Sequence, residues 1–497
     1  MKSKWVILAL IILMYLPVSI DATILHVAVP TLASELATKS NQLLWIIDIY
    51  SLVMAGMLLP MGALGDRVGF KKLVIIGLTI FGLASLFAAL STSAMMLIMA
   101  RALLAIGAAM ILPATLSGIR KTFEDEKERA MALGIWTTIG VSGAALGPLI
   151  GGYLLSHFHW GVVFLINIPL VLITIIGVMI VIPKQVENTK QQWPLGKAIF
   201  LTIAVLLIVY GLKSSLKLDG ELRYSCAIGI LGITLLTLFI KKELKSAAPM
   251  IDFHLFKIKA LVIGTIIAMV VMVTLVGFEL LVTQELQLVY HFTPLKAGIF
   301  IAPLMLSSCI GGSIAGWLSS RVSFRILATA GIGISSLCFL GLASVDFITQ
   351  TYWVWGLFIL LGLSLDIALL SSTSAIMSAV SSEQSSAAGA IEGIAYELGA
   401  GFGVIIFGLM ISIIYSYHID LPTGLSQPMQ QEAKSSITQA FYVASQLDVT
   451  SLSEQLISAA KLAFSKAHQV ILISAGSLLL LLTLFIWQST PSKINHH

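Results

Sequence analysis

Charge is what this chain has least of: Asp, Glu, Lys and Arg make up 11% of its 497 residues, where a soluble domain carries about 25%. That scarcity excludes an ordinary soluble protein, because a hydrophobic share of 58% is more than one globular core can bury. A bilayer accepts it. Cysteine is nearly missing too. Cys226, Cys309 and Cys338 lie in apolar stretches without paired spacing, which leaves neither a disulfide framework nor a thiolate metal site. No Gly-x-x-x-x-Gly-Lys-Ser/Thr run occurs, so ATP is not the expected energy source and no cofactor is called for. Gly399, Gly401 and Gly403 mimic a nucleotide loop, but they fall inside an apolar run and read as helix packing. A net charge of +5 needs no nucleic acid to explain it.

What is present is a succession of apolar runs, near 5–29, 43–64, 73–91, 95–117, 130–155, 160–182, 197–212, 224–240, 260–288, 297–318, 326–345, 352–380, 386–413 and 467–488. A spanning helix needs about 20 apolar residues, so these predict fourteen spans and an all-α polytopic membrane protein. The start resembles a signal peptide, but its apolar run continues past Asp21 to Val29 and Ser19–Ala22 is a poor cleavage site. It is expected to remain as the first helix. With the N-terminus in the cytoplasm, Lys and Arg of the loops fall about 20 inside to 8 outside, the bias expected of a bacterial inner-membrane protein. An even number of spans returns the C-terminus to the cytoplasm.

On this reading Arg101, in span 4, is the sole basic residue inside a span. Seven acids fall inside spans: Asp21, Asp48, Glu279, Glu285, Asp366, Glu392 and Glu397. Ionisable groups at membrane depth are costly and usually face a cavity or a partner. Such an excess of carboxylates describes an interior that attracts cations or carries protons.

The loop after span 2 and the loop after span 10 repeat one another. Gly62, Leu64, Arg67, Val68, Phe70 and Lys71 recur as Gly316, Leu318, Arg321, Val322, Phe324 and Arg325, 254 positions on. Span 2 then corresponds to span 10, which gives two six-helix halves (1–183 and 260–497) around an inserted pair (184–259). Duplicated halves are how secondary transporters build alternating access around a central site.

At these residues the chain resembles the major facilitator superfamily, in particular its fourteen-helix drug:proton antiporters of the QacA type, and within them the exporters of methyl viologen and biocides. Gly62 to Lys72 resembles the family's motif A. Arg101 with Gly107 resembles motif B, and Gly143, Gly147, Pro148, Gly151 and Gly152 resemble motif C, the antiporter signature. Asp21 to Pro30 resembles the acidic first-helix motif; Trp45 to Leu52 and Phe164 to Pro169 also fit. The resemblance covers essentially the whole chain. It implies a major facilitator fold, export of lipophilic mono- and dications in exchange for protons, and action as a monomer.

Each element also has a plainer reading. Asp21 lies about 12 Å deep at 1.5 Å per residue, and Asp48 and Arg101 lie at matching depth, so one carboxylate–guanidinium cluster is expected. Burial and a nearby guanidinium pull a carboxylate's proton affinity in opposite directions, which suits Asp21 to proton exchange. Arg101 stays charged and either takes part in coupling or ties helices together. His26, turned about 140° from Asp21 on the helix, faces a different neighbour and reads as packing or a hydrogen bond. Asp366, Glu279, Glu392 and Glu397 are candidate cation or proton sites, each alternatively protonated and hydrogen-bonded. Glu392 aligns better with an acid that the QacA type carries on this helix. Glu285 reads as an entrance residue. Among the aromatics, Trp136 and Tyr396 lie well within their spans and could offer π faces to a quaternary ammonium; Trp45, Tyr50 and Phe278 are weaker candidates.

Gating is expected at Gly62, Asp66, Arg67 and Gly69, with Ser320 and Ser323 replacing Asp66 and Gly69 in the weaker second copy. Gly143, Gly147 and Gly151 let helices approach closely, Pro148 kinks span 5, and the packing seals the halves against proton leak. The stretch 414–466 is too long for a simple connector and reads as an amphipathic pair over the exit. Uptake or export of an endogenous metabolite on the same fold is the alternative function. A receptor lacks an output domain in these short loops, and the span acids lack the His spacing of a metalloenzyme.

Overall fold

The computed structural model describes residues 4–36, 38, 40–183, 193–215, 222–246, 249–319, 321–380, 385–447 and 449–489. Within them the chain is all-α. The first half comprises α1 (Lys4–Glu35), α2 (Ser40–Val68), α3 (Phe70–Ala89), α4 (Ala94–Thr122), α5 (Glu126–His157), α6 (Val162–Leu165) and α7 (Asn167–Val181). Then follow α8 (Leu195–Ser215) and α9 (Leu222–Leu244). The remainder comprises α10 (Lys259–Gln284), α11 (Pro294–Ser319), α12 (Phe324–Leu342), α13 (Thr351–Ser378), α14 (Ser385–His418), α15 (Gln427–Ser435), α16 (Ile437–Ser445) and α17 (Thr450–Ser489). Helices answer the need to satisfy every backbone group within the segment when no water is at hand. Among the described residues thirteen stretches are long and apolar enough to cross a membrane, with α6 and α7 acting together as Val162–Val181. The glycine-rich α5 is not among the thirteen, although its 32 residues occupy the fifth predicted span. Pro169 cannot donate to the carbonyl four residues back, which accounts for the break at Ile166.

Contacts between helix ends show that successive helices alternate in direction. Lys4 pairs with Glu128, so α1 and α5 start at one end of the bundle. Lys71, at the start of α3, donates to the carbonyls of Met179 (2.8 Å) and Ile182 (2.7 Å) where α7 finishes, a cation on the negative end of a helix dipole. Lys197 meets Glu243 at 2.7 Å, joining the start of α8 to the end of α9. The other end of the bundle carries α15 and α16.

Buried side chains gather in two large clusters, one built mainly from α1–α7 and one mainly from α10–α17. A smaller cluster joins α8 and α9 to the 3-10 turn Phe253–Lys257, α10, α13 and α14 through Leu201, Phe239, Leu255, Leu261, Ile376 and Ile391. Glycines let backbones touch where helices cross. On α5, Gly143, Gly147 and Gly151 all face α1: a Cβ at Gly147 would lie 3.0 Å from the Ile20 carbonyl oxygen and one at Gly151 would lie 2.7 Å from Ile24. This glycine face therefore packs within one half. Contact with the other half falls to Gly152, whose Cβ would lie 2.7 Å from Leu295 Cα, and to Pro148, whose carbonyl oxygen lies 2.6 Å from a Cβ at Gly298. Gly399 and Gly403 sit against the Met269 and Val273 carbonyls of α10, and Gly401 against Leu52 of α2, so this glycine run is packing.

The long segment before the last span differs from its expected form. A helical pair is there, α15 and α16, but it occupies only part of the stretch, because α17 begins at Thr450 instead of near 467. Buried Leu456, Ala460, Ala463, Phe464 and Ala467 continue the stripe of Ile471, Leu472 and Ala475. Glu454 and Lys466 lie on the exposed face, which hides the first turns from a hydropathy reading. At the opposite end Gly69 has φ 85° and starts α3, a conformation that glycine adopts without strain. A Cβ at Gly62 would meet Pro113 at 3.7 Å, while Arg67 is half-buried in the last turn of α2. The Asp66 side chain and Ser320 lie outside the described residues.

Replacing Gly147 by Val should force α1 and α5 apart and cost about 1–3 kcal/mol of stability by overpacking. Gly134→Val, where a Cβ meets nothing within 4 Å, should stay within about 0.5 kcal/mol of the parent. Unfolding of the detergent-solubilised proteins compares the two.

Candidate functional site

Several of the ionisable side chains buried within the bundle come in pairs, and the pairs sort the sequence candidates. Asp21 and Arg101, each 1% exposed, form an ion pair between α1 and α4. Arg101 also donates through Nε to the Ile46 carbonyl at 3.3 Å and covers the Tyr50 ring at 4.4 Å. Asn167, at the start of α7, donates Nδ2 to Asp21 Oδ1 (3.4 Å) and to Ser85 Oγ (3.2 Å). The expected carboxylate–guanidinium cluster thus exists, with five helices meeting at it.

Asp48 is not part of that cluster. Ile46 and Tyr50 share one face of α2 four residues apart, which turns Asp48 toward the opposite face. There Lys213 of α8 meets it at 2.5 Å and lies 4.2 Å from the Trp45 ring centroid. Lys213 reads as a loop residue in the sequence, yet it is 2% exposed. Arg101 is therefore not the only basic side chain within a membrane-length helix. Trp45 and Tyr50 each cover one of the protein's own cations.

Glu279 also has a partner within the protein. His26 Nδ1 lies 3.1 Å from its Oε2, joining α1 to α10 across the two halves, so Glu279 does not stand free toward a cavity. Glu285 is not at an entrance: it is 4% exposed and is held by His468 and by Ser465 Oγ (2.9 Å) on α17. Phe278 packs edge-on against Phe339 and Phe358 as core.

The remaining acids have no basic partner among the described residues. Glu392 accepts hydrogen bonds from Thr373 and from Tyr396 (2.8 Å), joining α13 to α14. Glu397 is half-buried and lies near Ser51 of α2, across the two halves. Tyr15 and Tyr50 lie within electrostatic reach of it. Tyr15 stacks on Trp136 with centroids 4.6 Å apart and planes at 12°, and Trp136 donates Nε1 to Thr115 at 3.1 Å. Asp366 of α13 lies against Gly311 and Gly312 of α11. The bundle thus places aromatic rings within electrostatic reach of a carboxylate that has no basic partner among the described residues, which is the chemistry that holds an organic cation.

Tyr15, Ser51, Asn167, Lys213 and His468 are site residues that the sequence reading did not single out in these roles. Asn167 stood within a recognised motif. Lys213 carried no signal beyond one apolar turn on its N-terminal side.

The Major Facilitator Superfamily matches residues 11–404. The chain is 52% identical over 489 residues to the methyl viologen resistance protein SmvA of Salmonella typhimurium, covering 98% of this chain and 99% of that one. It is 34% identical over 477 residues to the multidrug efflux pump LfrA of Mycolicibacterium smegmatis, covering 96% and 94%. Among solved structures, a bacterial homologue of the human lysosomal transporter Spinster, inward-facing and unoccupied, superposes with a TM-score of 0.67 at 17% identity over 99% of both chains.

Lys213→Met, which strands Asp48 in an apolar setting, should cost about 3–5 kcal/mol. Adding Asp48→Asn should restore most of that loss, because the uncompensated charge is removed. A double-mutant cycle on the unfolding of the solubilised protein reads the coupling.

Proposed function

The chain belongs to the Major Facilitator Superfamily, a transporter family and not an enzyme family, and from that premise we propose that it exports lipophilic organic cations in exchange for protons. The carrying observation is Glu397, which lies within electrostatic reach of Tyr15 of the Tyr15–Trp136 stack and has no basic partner among the described residues. Similarity to proteins named for methyl viologen resistance and multidrug efflux supports the same substrate class, extended to quaternary ammonium biocides and cationic dyes.

A mono- or dication settles between the aromatic faces and the carboxylates of Glu397, Glu392 and Asp366. Protons from the far side bind Asp21, with Arg101 and Glu392 as partners, and the halves exchange one closed end for the other. Cargo and protons shift that equilibrium only through their different affinity for the two states. Protonation of Asp21 supplies such a difference, because it removes the charge that Arg101 faces. Gly62, Asp66, Arg67 and Gly69 govern the end opposite α15 and α16, while Gly143, Gly147, Pro148, Gly151 and Gly152 set the packing on which α5 turns. The proton gradient drives the cycle without a cofactor. The protein works as a monomer in the bacterial inner membrane, with both termini in the cytoplasm and α15–α16 outside, as the loop charges indicate.

Everted vesicles energised inside-acid should lose part of their proton gradient when methyl viologen, benzalkonium or ethidium is added, and Asp21→Asn should abolish that response. If no organic cation discharges the gradient in wild-type vesicles, cation export is refuted and a screen of endogenous metabolites follows.

A further inference from the structure

Alternating access requires the two halves to part at the end that carries α15 and α16, and in this structure they are joined there. Apolar packing and polar contacts both hold them, and α2 packs on α14 there as well, Leu44 against Gly408. Between α5 and α11 the contact is close backbone packing, Gly152 on Leu295 and Pro148 on Gly298, which can separate without stranding a charge. Between α1 and α10 it is polar. His26 Nδ1 meets Glu279 Oε2 at 3.1 Å, and Gln287 Nε2 donates to the Val27 carbonyl at 3.0 Å.

Both His26 and Glu279 are buried, at 2% and 4% exposure. Among the described residues theirs is the one carboxylate–base pair with a partner in each half; the pairs of Asp21, Asp48 and Glu285 lie within a half or tie α8 to the first half. The α10 backbone is built for this position. The π segment Glu285–Val289 follows Gln284, and its wider turn lets Glu285 reach His468 on α17 while Gln287 reaches α1. Thr283 Oγ1 caps the Glu279 carbonyl at 2.7 Å. The last turns of α10 are therefore fixed to α17 on one side and to α1 on the other. Opening this end must break the second attachment and rehydrate both its polar groups.

We propose that His26 and Glu279 are the interlock that holds the two halves closed at the α15–α16 end, and that their separation is a defined step of the transport cycle. Neither residue needs to touch cargo; they act as positioning residues through the α1–α10 contact. The assignment rests on the transporter reading above, but not on which molecule is carried.

Spin labels on Glu35→Cys and His291→Cys, with the three native cysteines replaced and the full chain in lipid nanodiscs, report the gap between the ends of α1 and α10. Glu279→Gln and His26→Asn should each raise the ratio of long to short distances by about ten- to a hundredfold, the size expected for losing one buried charge-assisted hydrogen bond. The exchanged pair His26→Glu with Glu279→His should return the distribution toward that of the parent, which a variant that merely misfolds would not do. An unchanged distribution in both single variants, or an exchanged pair no better than the singles, overturns the interlock. Because the distances are read without cargo, failure of the vesicle experiment alone would refute cation export and leave this assignment standing.

Discussion

A charge carried to membrane depth has to find a partner, and the arrangement of this bundle follows from how four acids do so. Moving one carboxylate or ammonium out of water costs several kcal/mol even after relaxation, which is comparable to the whole stability of a domain. Asp21 meets this constraint through Arg101, and around that pair α1, α2, α3, α4 and α7 are brought to one place by the Ile46 carbonyl, the Tyr50 ring, Ser85 and Asn167. Asp48 meets it through Lys213, which fixes α8 against α2. Glu279 and Glu285 meet it through the buried imidazoles of His26 and His468. The pairs act as address labels: each specifies which helix a given face must adjoin, where apolar packing alone would accept many neighbours.

The glycines solve a different problem. Lipid tails are as apolar as leucine, so helices in a bilayer gain little from burying alkyl surface against each other and rely on close van der Waals fit. Gly143, Gly147 and Gly151 bring α5 against α1, and Gly399 and Gly403 bring α14 against α10. In both cases the glycine stripe packs the inside of a half. Between the halves α5 packs along α11 and α2 along α14, with Gly152 and Gly298 at close approach on one side and the His26–Glu279 pair on the other.

Most of this architecture was legible in the sequence, because hydropathy and turn residues report directly on what a bilayer selects. The repeat at Gly62 and Gly316 carried the symmetry, and the Asp21–Arg101 pair followed from matching depths on two predicted spans. What escaped was whatever depends on azimuth around a helix. Asp48 shares its depth with Asp21 but faces away from it. Lys213 lay one residue beyond an apolar run and so counted as loop, and its removal from the loops also takes one charge from the outer tally. Thr450–Lys466 was hidden for the converse reason, since a helix half covered by α16 and half exposed has the composition of a connector. The side chains of Asp66 and Ser320, on which the comparison of the two motif copies rests, lie outside the described residues.

Sorting the acids by partner changes what the seven carboxylates mean. Read as a group, they describe a diffusely negative interior. With Asp21 and Asp48 matched to Arg101 and Lys213 and Glu279 and Glu285 held against His26 and His468, the acids left without a basic partner among the described residues are Glu392, Glu397 and Asp366, all on α13 and α14. The aromatic stack within electrostatic reach of Glu397 comes from the other half, Tyr15 of α1 and Trp136 of α5. A cation held between them touches both halves at once, charge from one and π surface from the other. A ligand so divided senses any relative motion of the halves, because moving one away removes one of the two attractions. Differential affinity between the two states then follows from the placement of the residues and needs no separate device to create it.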